Sequence, residues 1–155
     1  MKNQNDIEVK DFTIVSPSSE IEKKGWTIKQ EIPRNVLENI FMTAIEGGSN
    51  YWYWLSDLAV KIIRDAVPKE EEPYLAMAFS KAILDHNATI PVNDSEDDFG
   101  IVGYISNETI KERLQSLIEN KDLRWCLYAE LSENGDAETS DVVFQFLAMG
   151  EYVYG

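Results

Sequence analysis

The stretch Ala44–Asp57, AIEGGSNYWYWLSD, decides how this chain folds. Ahead of it and running into it, Val36, Leu37, Ile40, Phe41, Ala44 and Ile45 recur at helical spacing and make one broad apolar face. Pro33 opens that helix, because its fixed φ suits the first helical position. Gly47-Gly48 ends it, since glycine enters the left-handed region without a Cβ clash. Ser49 or Asn50 is then placed to cap a second helix, whose inner side is Leu55, Leu58, Ala59, Ile62, Ile63 and Ala66. Between cap and helix stand Tyr51, Trp52, Tyr53 and Trp54 in an unbroken row. A helical row would spread these rings around the circumference. An extended row would send Tyr51 and Tyr53 one way and Trp52 and Trp54 the other. Neither geometry buries all of them on one face, so part of the row is expected to meet solvent or a partner.

Outward from that stretch the patterns alternate between strand and helix. DFTIVS (Asp11–Ser16) and WTIKQEI (Trp26–Ile32) read as the strands of a hairpin across the turn residues PSSEIEKKG. YLAMAFSKAIL (Tyr74–Leu84) is rich in helix formers. ATIPV and FGIVGYI flank the acidic turn NDSEDD and suggest a second hairpin, with Pro91 favouring an edge. Ser106 can cap a helix whose inner stripe is Ile110, Leu114, Leu117 and Ile118. LRWCLYAEL (Leu123–Leu131) fits either strand or helix. Asp136 or Thr139 opens a last helix through Met149, closed by Gly150, and EYVYG follows as an extended piece. The expected fold is α+β: one domain over residues 11–155, about four to five helices packed on short antiparallel strands, with residues 1–10 loose.

Charge is the most informative feature of the composition. The 155 residues include 14 basic and 28 acidic ones, a net charge of −14. Residues 1–34 are neutral overall, with Lys2, Lys10, Lys23, Lys24, Lys29 and Arg34 offset by Asp6, Glu8, Asp11, Glu20, Glu22 and Glu31. The whole excess therefore lies after residue 34, and no Lys or Arg follows Arg124. Such a surface repels phosphate backbones, which argues against direct nucleic-acid binding. It would attract a basic protein surface, including one built to hold DNA or RNA; the plainer reading is that acidity keeps the protein soluble. The longest apolar run, IFMTAI, is far short of a membrane span, and no secretory signal is visible at the start. Cys126 is alone, which excludes an intrachain disulfide and makes a reducing cytoplasm the expected compartment.

Sites for chemistry are sparse. His86 is the only histidine, too few for a multi-histidine zinc site, and it lies near a helix C-terminus, where a charged imidazole is favoured. Reading Asp94 as the first position of a calcium loop, Glu96 and Asp98 fit, but Phe99 and Ile105 occupy the positions that require Gly and Glu. A solvated turn is the simpler reading, with a weak metal site at Asp94, Glu96 and Asp98 as the alternative. Nucleophile-elbow, P-loop and dinucleotide-binding patterns are absent. Glu46 could act as a general base if buried near Tyr51; at a helix C-terminus the dipole disfavours it, so a specific hydrogen-bond partner is expected. No cofactor is called for by any of these residues.

Two segments resemble a known family. TAIEGGSNYW, Thr43–Trp52, resembles the T-A-x-E-G-G-x-x-Y-W motif of a family of small proteins of phages, prophages and related mobile elements. DAETSDVVFQFLAMGEYVYG, Asp136–Gly155, is similar to that family's ending: an Asp-rich helix start, a Gln, then F-G-x-x-V-Y-G, with Met149 in place of the phenylalanine. NDSEDD followed by a strand and a Ser-capped helix matches in order. The resemblance covers about residues 30–155. It implies a setting, an accessory gene acting in the host cytoplasm, and no reaction, because the family has no assigned activity.

Three functions follow as expectations. The first is a non-enzymatic acidic protein that binds another protein, occupying the basic nucleic-acid-binding surface of a host defence factor as a DNA mimic would. Its contacts would come from Glu70, Glu71 and Glu72, from Asp94, Glu96, Asp97 and Asp98, and from Glu133, Asp136, Glu138 and Asp141. Asn50 and the aromatics Tyr51, Trp52, Tyr53 and Trp54 would add anchors, Tyr and Trp being frequent at interfaces. The second is a small ligand-binding protein or enzyme centred on Glu46, Tyr51, Trp52 and the Asp94–Asp98 turn. The third is a homo-oligomer joined through the aromatic row.

Overall fold

In the computed structural model of the chain, residues 12–16, 28–96 and 100–155 are described. Among these residues there are two small antiparallel sheets and six α-helices in a single α+β domain, one helix more than the sequence suggests. The order is β1 (Phe12–Ser16), β2 (Ile28–Ile32), α1 (Arg34–Thr43), a π turn (Ala44–Gly48), β3 (Tyr53–Trp54), α2 (Asp57–Ala66), α3 (Leu75–Leu84), β4 (Ile90–Asp94), β5 (Ile101–Ile105), α4 (Asn107–Glu119), α5 (Arg124–Leu131) and α6 (Ala137–Met149). Of the segments expected from sequence, the N-terminal ten residues, Asp11, the PSSEIEKKG loop, Trp26, Thr27, Asp97, Asp98 and Phe99 lie outside the described residues.

Helix α6 is the centre of the fold. It packs against α1, α4, α5, β5 and the π turn, and every residue from Thr139 to Ala148 is buried. A helix enclosed on all sides reads as apolar nearly all round, and VVFQFLAM is such a run apart from Gln145. The rest of the core gathers on it: Phe41 meets Phe144 edge-on at 6.5 Å and Phe79 at 5.2 Å. The two hairpins flank this helical core. In the first, Phe12 pairs with Ile32 and Ser16 with Ile28. The outer edge of β1 is closed by the Gln115 amide on α4, which accepts from the Val15 N–H at 2.8 Å and donates to its carbonyl at 3.0 Å. One side chain thus replaces a strand partner, satisfying backbone groups that would otherwise stay unpaired.

The second sheet runs β3-β4-β5. Pro91 therefore stands in the middle strand rather than at an edge. It is tolerated there because β3 reaches only Asn93 and Asp94, so no third strand needs the missing N–H at Pro91.

The helix starts are local chemistry and follow the sequence, with two shifts. Ser106 and Asp136 each accept from the backbone N–H three residues on, and Thr109 and Thr139 close both capping boxes. Gly150, at φ +81°, ends α6. Pro33 is the N-cap of α1 rather than its first helical residue. The second helix starts later than expected: Ser56, not Ser49 or Asn50, caps it, because the chain after Gly48 turns and goes extended at Tyr53–Trp54 before it coils again. LRWCLYAEL is mainly helical, with Cys126 and Leu127 buried.

Candidate functional site

Everything around the aromatic row follows from how α1 stops. The helix widens into the π turn, and Gly47 takes φ +134°, a conformation closed to residues with a Cβ. The Tyr53 hydroxyl, buried, donates to the Ala44 carbonyl at 2.9 Å and ties the turn to β3. The turn at Asn50–Trp52 breaks strict alternation, so neighbouring rings share a fate: Trp52 and Tyr53 are buried, while Tyr51 and Trp54 are 50% and 37% exposed. The expectation that the row cannot be wholly buried is met in this way.

The row is fastened by a carboxylate from the central helix. Asp141, itself buried, accepts from the Tyr51 hydroxyl at 2.6 Å, the Trp52 indole N–H at 2.9 Å and the Gln145 amide at 2.9 Å. None of these donors is a cation, yet both oxygens are satisfied, which is what burial of a carboxylate demands. Gln145 lies one helical turn on from Asp141 and reads the backbone of the C-terminal segment. Its oxygen accepts from the Val153 and Tyr154 N–H groups at 2.9 Å each, and its amide nitrogen donates to the Tyr154 carbonyl at 2.7 Å. The Tyr154 ring then lies flat on Trp52, centroids 5.2 Å apart, and its hydroxyl donates to Asp94 at 2.6 Å. Gln145 and Tyr154 were not among the residues expected to matter; the one sequence signal for them was their place in the quoted C-terminal motif.

This network sorts the candidate residues. Trp52, Tyr53, Asp94 and Asp141 are inside the protein and hold it together rather than facing outward. Glu72 is half-buried in an ion pair with Lys81 at 3.1 Å, and that hydrogen bond holds its carboxyl below the usual range. Both oxygens of Asp94 are engaged, one by Tyr154 and one by the Glu96 N–H at 2.7 Å. Among the described residues no three His, Cys, Asp or Glu side chains stand together as metal ligands. Glu46 is exposed and has no hydrogen-bond partner among the described residues, so the partner expected for it is not found and it does not join Tyr51. His86 is also exposed; its neighbour Asp85 pairs with Arg34, which holds the Asp85 carboxyl below the usual range. Burial pushes the Cys126 thiol up to about 11, away from thiolate chemistry.

What remains on the surface is acidic and aromatic. Asn50, Glu70, Glu71, Glu96, Glu133, Asp136 and Glu138 are exposed, Asp136 also serving as the cap of α6. Beside Trp54 runs a groove of about 470 Å³ walled by Ile45, Tyr53, Trp54, Leu55 and Leu75, with Asn50 and Ser95 at its polar margin. A second depression of about 400 Å³ lies between α1 and the α5–α6 corner and is lined by polar groups, including Asn39, Glu130, Glu133 and Asp136. Glu130 there accepts from the Thr139 and Ser140 hydroxyls at 2.6 and 3.0 Å.

No protein-family model matches the chain, and no curated protein or solved structure matches it significantly. No helix among the described residues is long and apolar enough to cross a membrane.

The Tyr51–Asp141 bond has a titration signature. Burial, and then the Asp141 carboxylate, hold the Tyr51 phenol above its ordinary value, and burial raises Tyr53 as well. In the unfolded chain these phenols ionise near pH 10; in the folded protein they stay neutral there. Their contribution is therefore complete below about pH 10 and is lost as the pH rises beyond it. Tyr51→Phe is expected to make the alkaline decline in stability shallower, read from urea melts between about pH 8 and 11. An unchanged slope would detach the Tyr51 hydroxyl from Asp141.

Proposed function

We propose that this protein acts by binding another protein, with its acidic surface taking the place that nucleic acid occupies on a basic partner. The observation that carries the reading is the state of the outward carboxylates. Glu70, Glu71, Glu96, Glu133 and Glu138 are exposed and, among the described residues, none is paired with Lys or Arg. Three cations are paired with other acids: Arg34 with Glu38 and Asp85, Lys61 with Asp65, and Lys81 with Glu72. The chain's net charge of −14 would speed association with a basic patch and make it salt-sensitive. The partner class that such a surface suits is a nucleic-acid-binding factor, for instance a host defence nuclease.

The test is association with a panel of host nucleases and nucleic-acid-binding proteins between about 50 and 500 mM salt, a range over which screening becomes severe. A true partner is expected to bind more weakly as salt rises, to release DNA or RNA on binding, and to lose affinity for the Glu70→Gln/Glu71→Gln/Glu133→Gln/Glu138→Gln protein. Binding indifferent to salt and to these substitutions would end the proposal.

A further inference from the structure

We infer that the groove beside Trp54 receives an amphipathic helix of the partner, one with bulky apolar side chains along one face and Lys or Arg beside them. This deepens the binding function proposed above and rests on it. Most of the groove's lining is apolar, with Ile45, Leu55 and Leu75 joined by the rings of Tyr53 and Trp54. Its surroundings continue that character outward: Tyr74, next to Leu75, is 72% exposed, and Leu58, in the first turn of α2, is 56% exposed. Large apolar side chains left in water around an apolar groove mark a contact surface.

Charge names the occupant. The exposed charged residues described within two positions of a residue lining the groove are Glu46, Asp57 and Glu96, all acidic. Of the cations within six positions of a wall residue, Lys61 pairs with Asp65 and Lys81 with Glu72, and the exposed Lys69 is followed directly by the exposed Glu70 and Glu71. A groove with an acidic margin suits an apolar segment carrying basic residues, the complementarity that fixes register and speeds encounter. A second copy of this chain would bring the same acidic margin against itself. An added strand is also a poor fit, because β3 is two residues long and offers almost no backbone to pair with. A helix recognised through side chains at i, i+3, i+4 and i+7 needs no such template.

The probes are synthetic helices with leucines at that spacing: one with lysines at the remaining positions, one with glutamates there, and one with lysines kept but leucines replaced by serines. Binding is followed by fluorescence anisotropy against wild type, Trp54→Ala, Leu75→Asp and Glu133→Gln/Glu138→Gln, with circular dichroism checking each fold. The leucine–lysine peptide is expected to bind best, to weaken about tenfold with Trp54→Ala or Leu75→Asp, and to be least affected by the remote Gln pair. Should Leu75→Asp fail to fold, Trp54→Ala, at a partly exposed position, carries the comparison. Equal binding of the serine peptide, or binding lost only in the Gln pair, would overturn the groove while leaving the acidic-surface reading standing. Loss of salt sensitivity in the serine peptide would count against that reading alone. Failure of the leucine–lysine peptide to bind, or self-association of wild type that Trp54→Ala abolishes, would overturn the helix as occupant.

Discussion

Trp52→Ala is expected to lower the free energy of unfolding by about 4 kcal/mol, in the range for deleting a large buried aromatic. The ring is fully enclosed and touches Tyr53, Phe144 and Tyr154, at centroid distances of 5.1, 5.7 and 5.2 Å. Its indole N–H is also one of the donors that satisfy Asp141. The substitution therefore leaves a cavity, deprives a buried carboxylate oxygen of its indole donor, and removes the platform under Tyr154. Since a domain of this kind is stable by about 5–15 kcal/mol in total, that is a large share. Urea melts of wild type, Trp52→Ala and Trp52→Phe read it directly. The Phe variant is expected to fall between, because it restores most of the volume and not the N–H. A separate readout follows from the tail: chymotrypsin cleavage near Tyr152–Tyr154 should quicken in the Ala variant, as the ring that Tyr154 stacks on is gone. A loss below about 1 kcal/mol, typical of a surface site, would mean that Trp52 does not organise the tail.

Gly103→Ala is expected to cost about 3 kcal/mol or more, and Gly100→Ala close to nothing. A Cβ on Gly103 would lie 2.0 Å from the Ala148 carbonyl oxygen and 2.7 Å from its carbon. Both atoms belong to the backbone of the central helix, which is packed on several sides and cannot yield. The strand β5 must move off α6 instead, loosening the contact that joins the second sheet to the core. At Gly100 nothing among the described residues lies within 4 Å of an added Cβ. For a domain of this length, about 3 kcal/mol corresponds to a fall in Tm of roughly 10 °C. Thermal melts of the two variants side by side provide the check, and equal melting temperatures would contradict the close approach of β5 to α6.

These two glycines show where sequence reading stops. Gly100 and Gly103 sit in one strand-like run, FGIVGYI, and nothing local distinguishes them. The difference is a contact with a helix some 45 residues later in the chain. Asp141 is a second case. Among acids in an acidic chain it reads as surface, yet it is buried, because its donors Tyr51 and Trp52 arrive from 90 and 89 residues away. The groove is a third. Leu55 and Leu75 each look like ordinary core positions of separate helices, and only the packing of those segments leaves a trough between them.

By itself the sequence determined the α+β class, the helix start at Ser106, a last helix opening at Asp136 or Thr139, the stop at Gly47-Gly48 and the gathering of negative charge after residue 34, because each of these depends on neighbours within a few residues or on composition alone. The tertiary structure alone decided which members of the aromatic row face inward, that Asp141 and Gln145 fasten the C-terminal residues to them, and which carboxylates are left for a partner. Burial and hydrogen-bond satisfaction are set by groups far apart in the chain, and no local pattern encodes which of them will meet.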